Sequence, residues 1–155
     1  MNVIFLRLAL FTGLVTCTVA MGDVLDQPVT LKTETDLIRA VSVTLQHAVA
    51  TSEQYRGTEP RLQRFASKEI SARRKPIQQL SKLSRSPLGP VKQLTIVSKD
   101  GNAYLQAMLR NHAWLIELIE YGAGLPLSPE TKRLMEALSR SAASEFATLS
   151  KMEKS

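Results

Sequence analysis

The sequence predicts an all-α protein: an antiparallel four-helix bundle behind an N-terminal signal peptide. Three observations lead there. Four stretches of the 155-residue chain repeat apolar residues at a period near 3.6. Turn-forming Pro and Gly residues separate them, mostly by short intervals. The only strand-like run, Gln93 to Val97, has no partner strand, and an isolated strand is worth little, so it reads as an extended connection packed on the bundle.

Residues 1–20 read as a cleaved export signal. Arg7 supplies the positive charge, Leu8 to Val15 the apolar core, and Thr18-Val19-Ala20 the small residues of a cleavage site. Cleavage is expected after Ala20, with Gly22 as the second choice. A retained anchor fits less well, because Arg7 leaves the apolar run short of the about 18 residues a span needs. Cys17, the single cysteine, lies inside this segment, and Thr16 before it departs from a lipoprotein box. The mature chain would then carry no thiol, which excludes a disulfide framework, a thiolate metal site and a Cys nucleophile. The destination is the periplasm or the medium. Residues 21–33 are expected to be a flexible N-terminal segment, and residues 34–152 the bundle domain.

The first helix is expected from Glu34 to Gln54. Leu37, Ile38, Val41, Leu45, Ala48 and Val49 form its stripe, Thr33 or Thr35 its cap, and Gly57 follows its end. His47 is predicted to face solvent. The second helix runs from Pro60 to Leu83 with Leu62, Phe65, Ala66, Ile70, Ile77, Leu80 and Leu83 on one face. Pro76 within it removes a backbone donor, so a kink or a break is expected there. Ser86 to Pro90 is a turn. Asp100-Gly101-Asn102 opens the third helix, Ala103 to Tyr121, which stops at Gly122-Ala123-Gly124. The fourth begins with Ser128 at N-cap, Pro129 at N1 and Glu130 in the first turn, and continues to Met152 through Leu134, Met135, Leu138, Ala142 and Leu149. The two middle helices also echo each other at an offset of 39: Phe65, Ile70, Arg73, Ile77 and Leu80 align with Tyr104, Leu109, His112, Ile116 and Ile119.

Three ionisable residues interrupt these stripes: Glu69, His112 and Glu145. A buried charge has to be paired, hydrogen-bonded or bound to a metal. The trio could supply three ligands to one zinc, manganese or iron ion. Arg73 offers a competing solution, since it lies four residues after Glu69 on the same face and a guanidinium there neutralises carboxylates as a cation would. No helix carries the Glu-x-x-His pair of a two-metal bundle. A structural polar cluster is therefore the favoured reading, a weak metal site the alternative.

Charge bounds the partners. Without Arg7 the chain has 19 basic against 14 acidic residues, a net charge of +5. The excess concentrates between Arg56 and Lys92, where Arg56, Arg61, Arg64, Lys68, Arg73, Arg74, Lys75, Lys82, Arg85 and Lys92 face only Glu59 and Glu69. Such a segment suits an anionic envelope component, lipid or other polyanion, or is a solvated face. Nucleic acid is not expected for an exported chain with few aromatics and no binding module. Ser139, Ser141 and Ser144 sit in no nucleophile elbow, and there is no phosphate loop, CxxC pair or HExxH motif. An enzyme is not expected.

Phe65-Ala66 followed by Ile70, together with Tyr104-x-x-x-Met108-x-x-x-His112, resembles the bacterial exported ferritin-like proteins catalogued as the domain of unknown function 4142. The likeness covers Glu34 to Met152. It implies a ferritin-like four-helix bundle behind a signal peptide, and it lends no defined activity. In the positions where that family carries Met and Asp-His in the second helix, this chain has Glu69 and Ala72-Arg73; a last-helix histidine of the family is replaced near Glu145. Of the family's polar positions His112 alone carries over. The expected role is a non-catalytic binding or envelope-stress protein. Metal binding through Glu69, His112 and Glu145, or surface binding through the basic second helix, are the alternatives.

Overall fold

The structure, a computed structural model, describes residues 30–84 and 99–154. The signal peptide, the turn at Ser86 to Pro90 and the stretch Gln93 to Val97 lie outside the described residues. Four helices form: α1 (Glu34–Gln54), α2 (Pro60–Leu83), α3 (Gly101–Gly122) and α4 (Pro129–Glu153). No strand occurs among the described residues. Among them, too, no helix is long and apolar enough to cross a membrane.

Local chemistry fixes the starts. Thr33 caps α1 in a reciprocal box with Asp36: the Thr33 hydroxyl accepts from the Asp36 amide and the Asp36 carboxylate accepts from the Thr33 amide. Asp100 accepts from the amides of Asn102 and Ala103 at the start of α3, so that helix begins slightly earlier than its periodicity suggests. Ser128 accepts from the Thr131 amide, with Pro129 in the first turn of α4. Packing extends ahead of α1, because Leu31 is buried in the core.

Pro76 does not break α2. The helix runs through it without interruption. The proline cannot donate to the Ala72 carbonyl, but Ala72 is on the exposed side of α2, where water can satisfy that oxygen. Buried Leu62 and Phe65 before the proline and Leu80 after it hold both halves of α2 in the same core.

The connectivity follows from which ends meet. Ser52 near the end of α1 bonds Tyr104 near the start of α3, and Thr44 meets Asn111, so α1 and α3 are antiparallel. Ser128, capping α4, donates to Glu34 at the start of α1, so these two run the same way. The start of α3 lies beside the start of α2, where Gly101 approaches Leu62 and Glu59. Neighbouring seams are α1–α2, α1–α3, α3–α4 and α2–α4, leaving α2 and α3 as parallel helices on diagonal corners. The chain therefore leaves α2 at one end of the bundle and enters α3 at the other.

Two apolar clusters fill the interior. One gathers Leu37, Val41, Leu45, Leu80, Leu115, Met135 and Leu138. The other gathers Ala48, Leu62, Phe65, Tyr104, Met108 and Leu149, with the Tyr55 ring stacked on Tyr104 at 4.4 Å between centroids. On α2, α3 and α4 a gap separates the two clusters.

Candidate functional site: a buried charge cluster

That gap is filled by the predicted polar residues. Glu69 and Arg73 come from α2, His112 from α3 and Glu145 from α4. Glu69, Arg73 and His112 are at most 1% exposed, and Glu145 is 7% exposed. Each sits at a core position because its helix continues the apolar stripe on both sides of it.

Arg73 is the hub. Its Nε donates to Glu69 Oε1 at 2.6 Å, and its Nη2 donates to Glu145 Oε2. His112 Nδ1 donates to the Met108 carbonyl at 2.8 Å, which turns Nε2 toward the carboxylates, 3.2 Å from Glu145 Oε2 and 3.7 Å from Glu69 Oε2. Arg73 Nη2 and His112 Nε2 share the same carboxylate oxygen of Glu145, which draws the two nitrogens to 3.2 Å. The other oxygen of Glu145 accepts from Ser141.

Charge balance decides the protonation. Two buried carboxylates need two cations, and Arg73 is one. Burial works against a charged imidazole, yet the hydrogen bonds to Glu145 and Glu69 overcome it and push His112 up to about 9. Burial would likewise raise the Glu69 carboxyl, but the His112 hydrogen bond and the Arg73 charge outweigh it and hold it below the usual range. At neutral pH the cluster is two carboxylates, one guanidinium and one imidazolium, with no net charge.

One ligand atom from each of Glu69, His112 and Glu145 lies within 4.8 Å of the others, so the trio converges as the sequence predicts. It does not fit a metal as arranged. Arg73 already bonds both carboxylates, so a metal ion would have to displace it. The offset-39 echo takes physical form here, since Arg73 and His112 are equivalent positions on parallel helices that meet across the core.

His47 corrects the sequence reading. It is buried at 5% exposure, and desolvation lowers its pKa, so it stays neutral. The reason is that α1 packs on both α2 and α3, so its buried arc is wider than the apolar stripe and takes in Ser42, Thr44, His47 and Ser52. Thr44, three residues before His47 on the same flank, was the available signal. The Nε2 of His47 and the Oδ1 of Asn111 have no hydrogen-bond partner among the described residues.

Outside the core, Arg61, Arg64, Lys68, Arg74, Lys75 and Lys82 are all exposed on α2. Five of them, Arg61, Arg64, Lys68, Lys75 and Lys82, fall within an arc of about 60° at the α-helical repeat and extend about 30 Å. Glu69 is the one acidic residue of α2, and it is buried. Comparison with known protein families, curated proteins and solved structures finds no match.

Proposed function

We propose that the protein is an exported, ferritin-like helical bundle that acts without catalysis, binding an anionic component of the cell envelope through the basic face of α2. The observation that carries this reading is the stripe of five exposed cations on a helix with no exposed carboxylate. A surface of that kind attracts anionic lipid at about 1 kcal/mol per Lys or Arg near the membrane. The single change of ends between α2 and α3 supports the ferritin-like assignment, because such folds have one long crossover. So does the resemblance at Phe65-Ala66, Tyr104, Met108 and His112. The non-catalytic part rests on the neutral, closed state of the core cluster, whose charged groups are committed to one another.

The test is co-sedimentation of the protein, residues 21–155, with vesicles containing an anionic phospholipid. Binding is expected at low ionic strength and is expected to weaken steeply as salt rises. Absence of binding at low ionic strength overturns the reading. The convergence of Glu69, His112 and Glu145 favours a second reading, a weak site for zinc, manganese or iron. It requires Arg73 to leave the core. Stoichiometric metal in the purified protein, lost in His112→Ala, supports it; a metal-free protein whose melting temperature ignores added zinc, manganese and iron rejects it.

A further inference from the structure

The seam between α2 and α4 is the sparsest of the four, and a groove of about 220 Å³ opens along it. Its chemistry explains the gap. α4 contributes the exposed hydroxyls of Ser144 and Thr148, while α2 contributes the long, exposed side chains of Arg64 and Lys68, and these do not interdigitate. Phe65 from α2 and half-buried Met152 from α4 supply apolar wall. Arg61 lies at the rim and also pairs with Glu59 at 3.7 Å. The carboxylate of Glu145 closes the inner end, but Arg73 and His112 already neutralise it, so the field in the groove is set by the cations of the rim.

We propose that this groove seats the phosphate-monoester headgroup of an anionic lipid. Three cations within two turns of one helix suit a phosphate carrying close to two charges better than a singly charged diester. The Ser144 hydroxyl on the facing helix can donate to a remaining oxygen, while the Thr148 hydroxyl is bonded to the Ser144 carbonyl and lines the wall. The apolar wall then takes the first carbons of the attached chain. The volume is below the roughly 300 Å³ at which pockets begin to hold drug-sized ligands, which suits a headgroup and not a whole lipid. Continuity with Lys75 and Lys82 places the groove at one end of the same face that would lie against a membrane, which favours a lipid over a soluble ester.

This rests on the reading of α2 as an anion-binding face, and the experiment separates the two. Binding to phosphatidylcholine vesicles is compared when they are doped with phosphatidic acid or, at matched surface charge, with phosphatidylglycerol. At least fivefold tighter binding to the phosphatidic acid vesicles is expected. Arg64→Gln with Lys68→Gln should abolish that preference, whereas Lys75→Gln with Lys82→Gln should weaken binding to both vesicles and leave the preference intact. Met152→Asn should reduce it. All are exposed or half-buried, and helicity checked by circular dichroism confirms folding. Equal binding to both vesicles overturns the groove and leaves the basic face standing; no binding to either overturns both. Soluble hexyl phosphate that binds the protein without displacing it from vesicles overturns the lipid assignment.

Discussion

Arg73 holds two buried carboxylates at once, so its removal leaves charge with no partner. Arg73→Met is expected to cost about 3–5 kcal/mol, the range for breaking a buried ion pair from one side, read as a lower urea midpoint at neutral pH. His112 gives the cluster a pH signature. Held up to about 9 in the folded protein, above the ordinary imidazole value of 6.5, it contributes fully below about 6.5 and its contribution is lost as pH rises through about 9. Glu69 has the opposite sign: its lowered pKa contributes above 4.5 and is lost on acidification below that value. Urea midpoints should therefore be highest between these limits, and His112→Gln should flatten the alkaline limb. An alkaline limb of unchanged steepness in that variant would refute the assigned imidazolium. These residues were legible in the sequence because a charge inside an apolar stripe has no other explanation than a partner. Arg73 was legible as a partner for Glu69 from its spacing, but its reach to Glu145 and His112 was not, since a stripe gives the face of one helix and not the distance to the next. His47 escaped for a related reason: periodicity shows the most apolar face of α1, whereas His47 lies on a flank it shares with Thr44, whose carbonyl accepts from Asn111 of α3.

At the level of elements, the boundaries of α1 and α2 were readable from Thr33, Pro60 and the apolar repeats, and the observed helices keep them. The behaviour of Pro76 was not, because a proline's effect depends on whether the freed carbonyl meets water or protein. In α2 it belongs to Ala72, on the exposed side. The proline is then a cost the helix bears without breaking, and Pro76→Ala is expected to stabilise the protein by about 1–3 kcal/mol by restoring the donor and removing ring strain. Thermal unfolding measures it, and an unchanged or lowered midpoint would mean the proline's rigidity matters more than the lost bond. Gly122 shows the reverse case. A methyl group there would lie 2.5 Å from the Leu37 side chain, whose residue is fully buried, so Gly122→Ala should destabilise although alanine is the better helix former. Thermal unfolding of that variant should show a lower midpoint.

Over the whole molecule, the charge cluster is a layer that divides one core into two apolar halves. Desolvating four ionised groups is expensive, and their mutual attraction returns that cost only in part. Stability alone does not call for the layer. Its geometric effect is different: three helices must meet at one height for Arg73 to reach Glu69, Glu145 and His112 together, whereas Leu and Met could slide by a turn. Replacing the entire layer at once, with Glu69→Met, Arg73→Met, His112→Leu and Glu145→Leu, removes the desolvation cost along with the pairing. The quadruple variant is expected to equal or exceed the parent by about 1–4 kcal/mol, in contrast to the loss in Arg73→Met alone. If the layer fixes register, that stability comes with broader amide and methyl resonances from interconverting packings. A quadruple variant less stable than Arg73→Met would show that the layer is a net source of stability. Vesicle binding supplies an independent axis: Arg61, Arg64, Lys68, Lys75 and Lys82 remain on the outer arc of α2, so a folded quadruple variant should keep the salt-sensitive association of the parent even with its polar core erased.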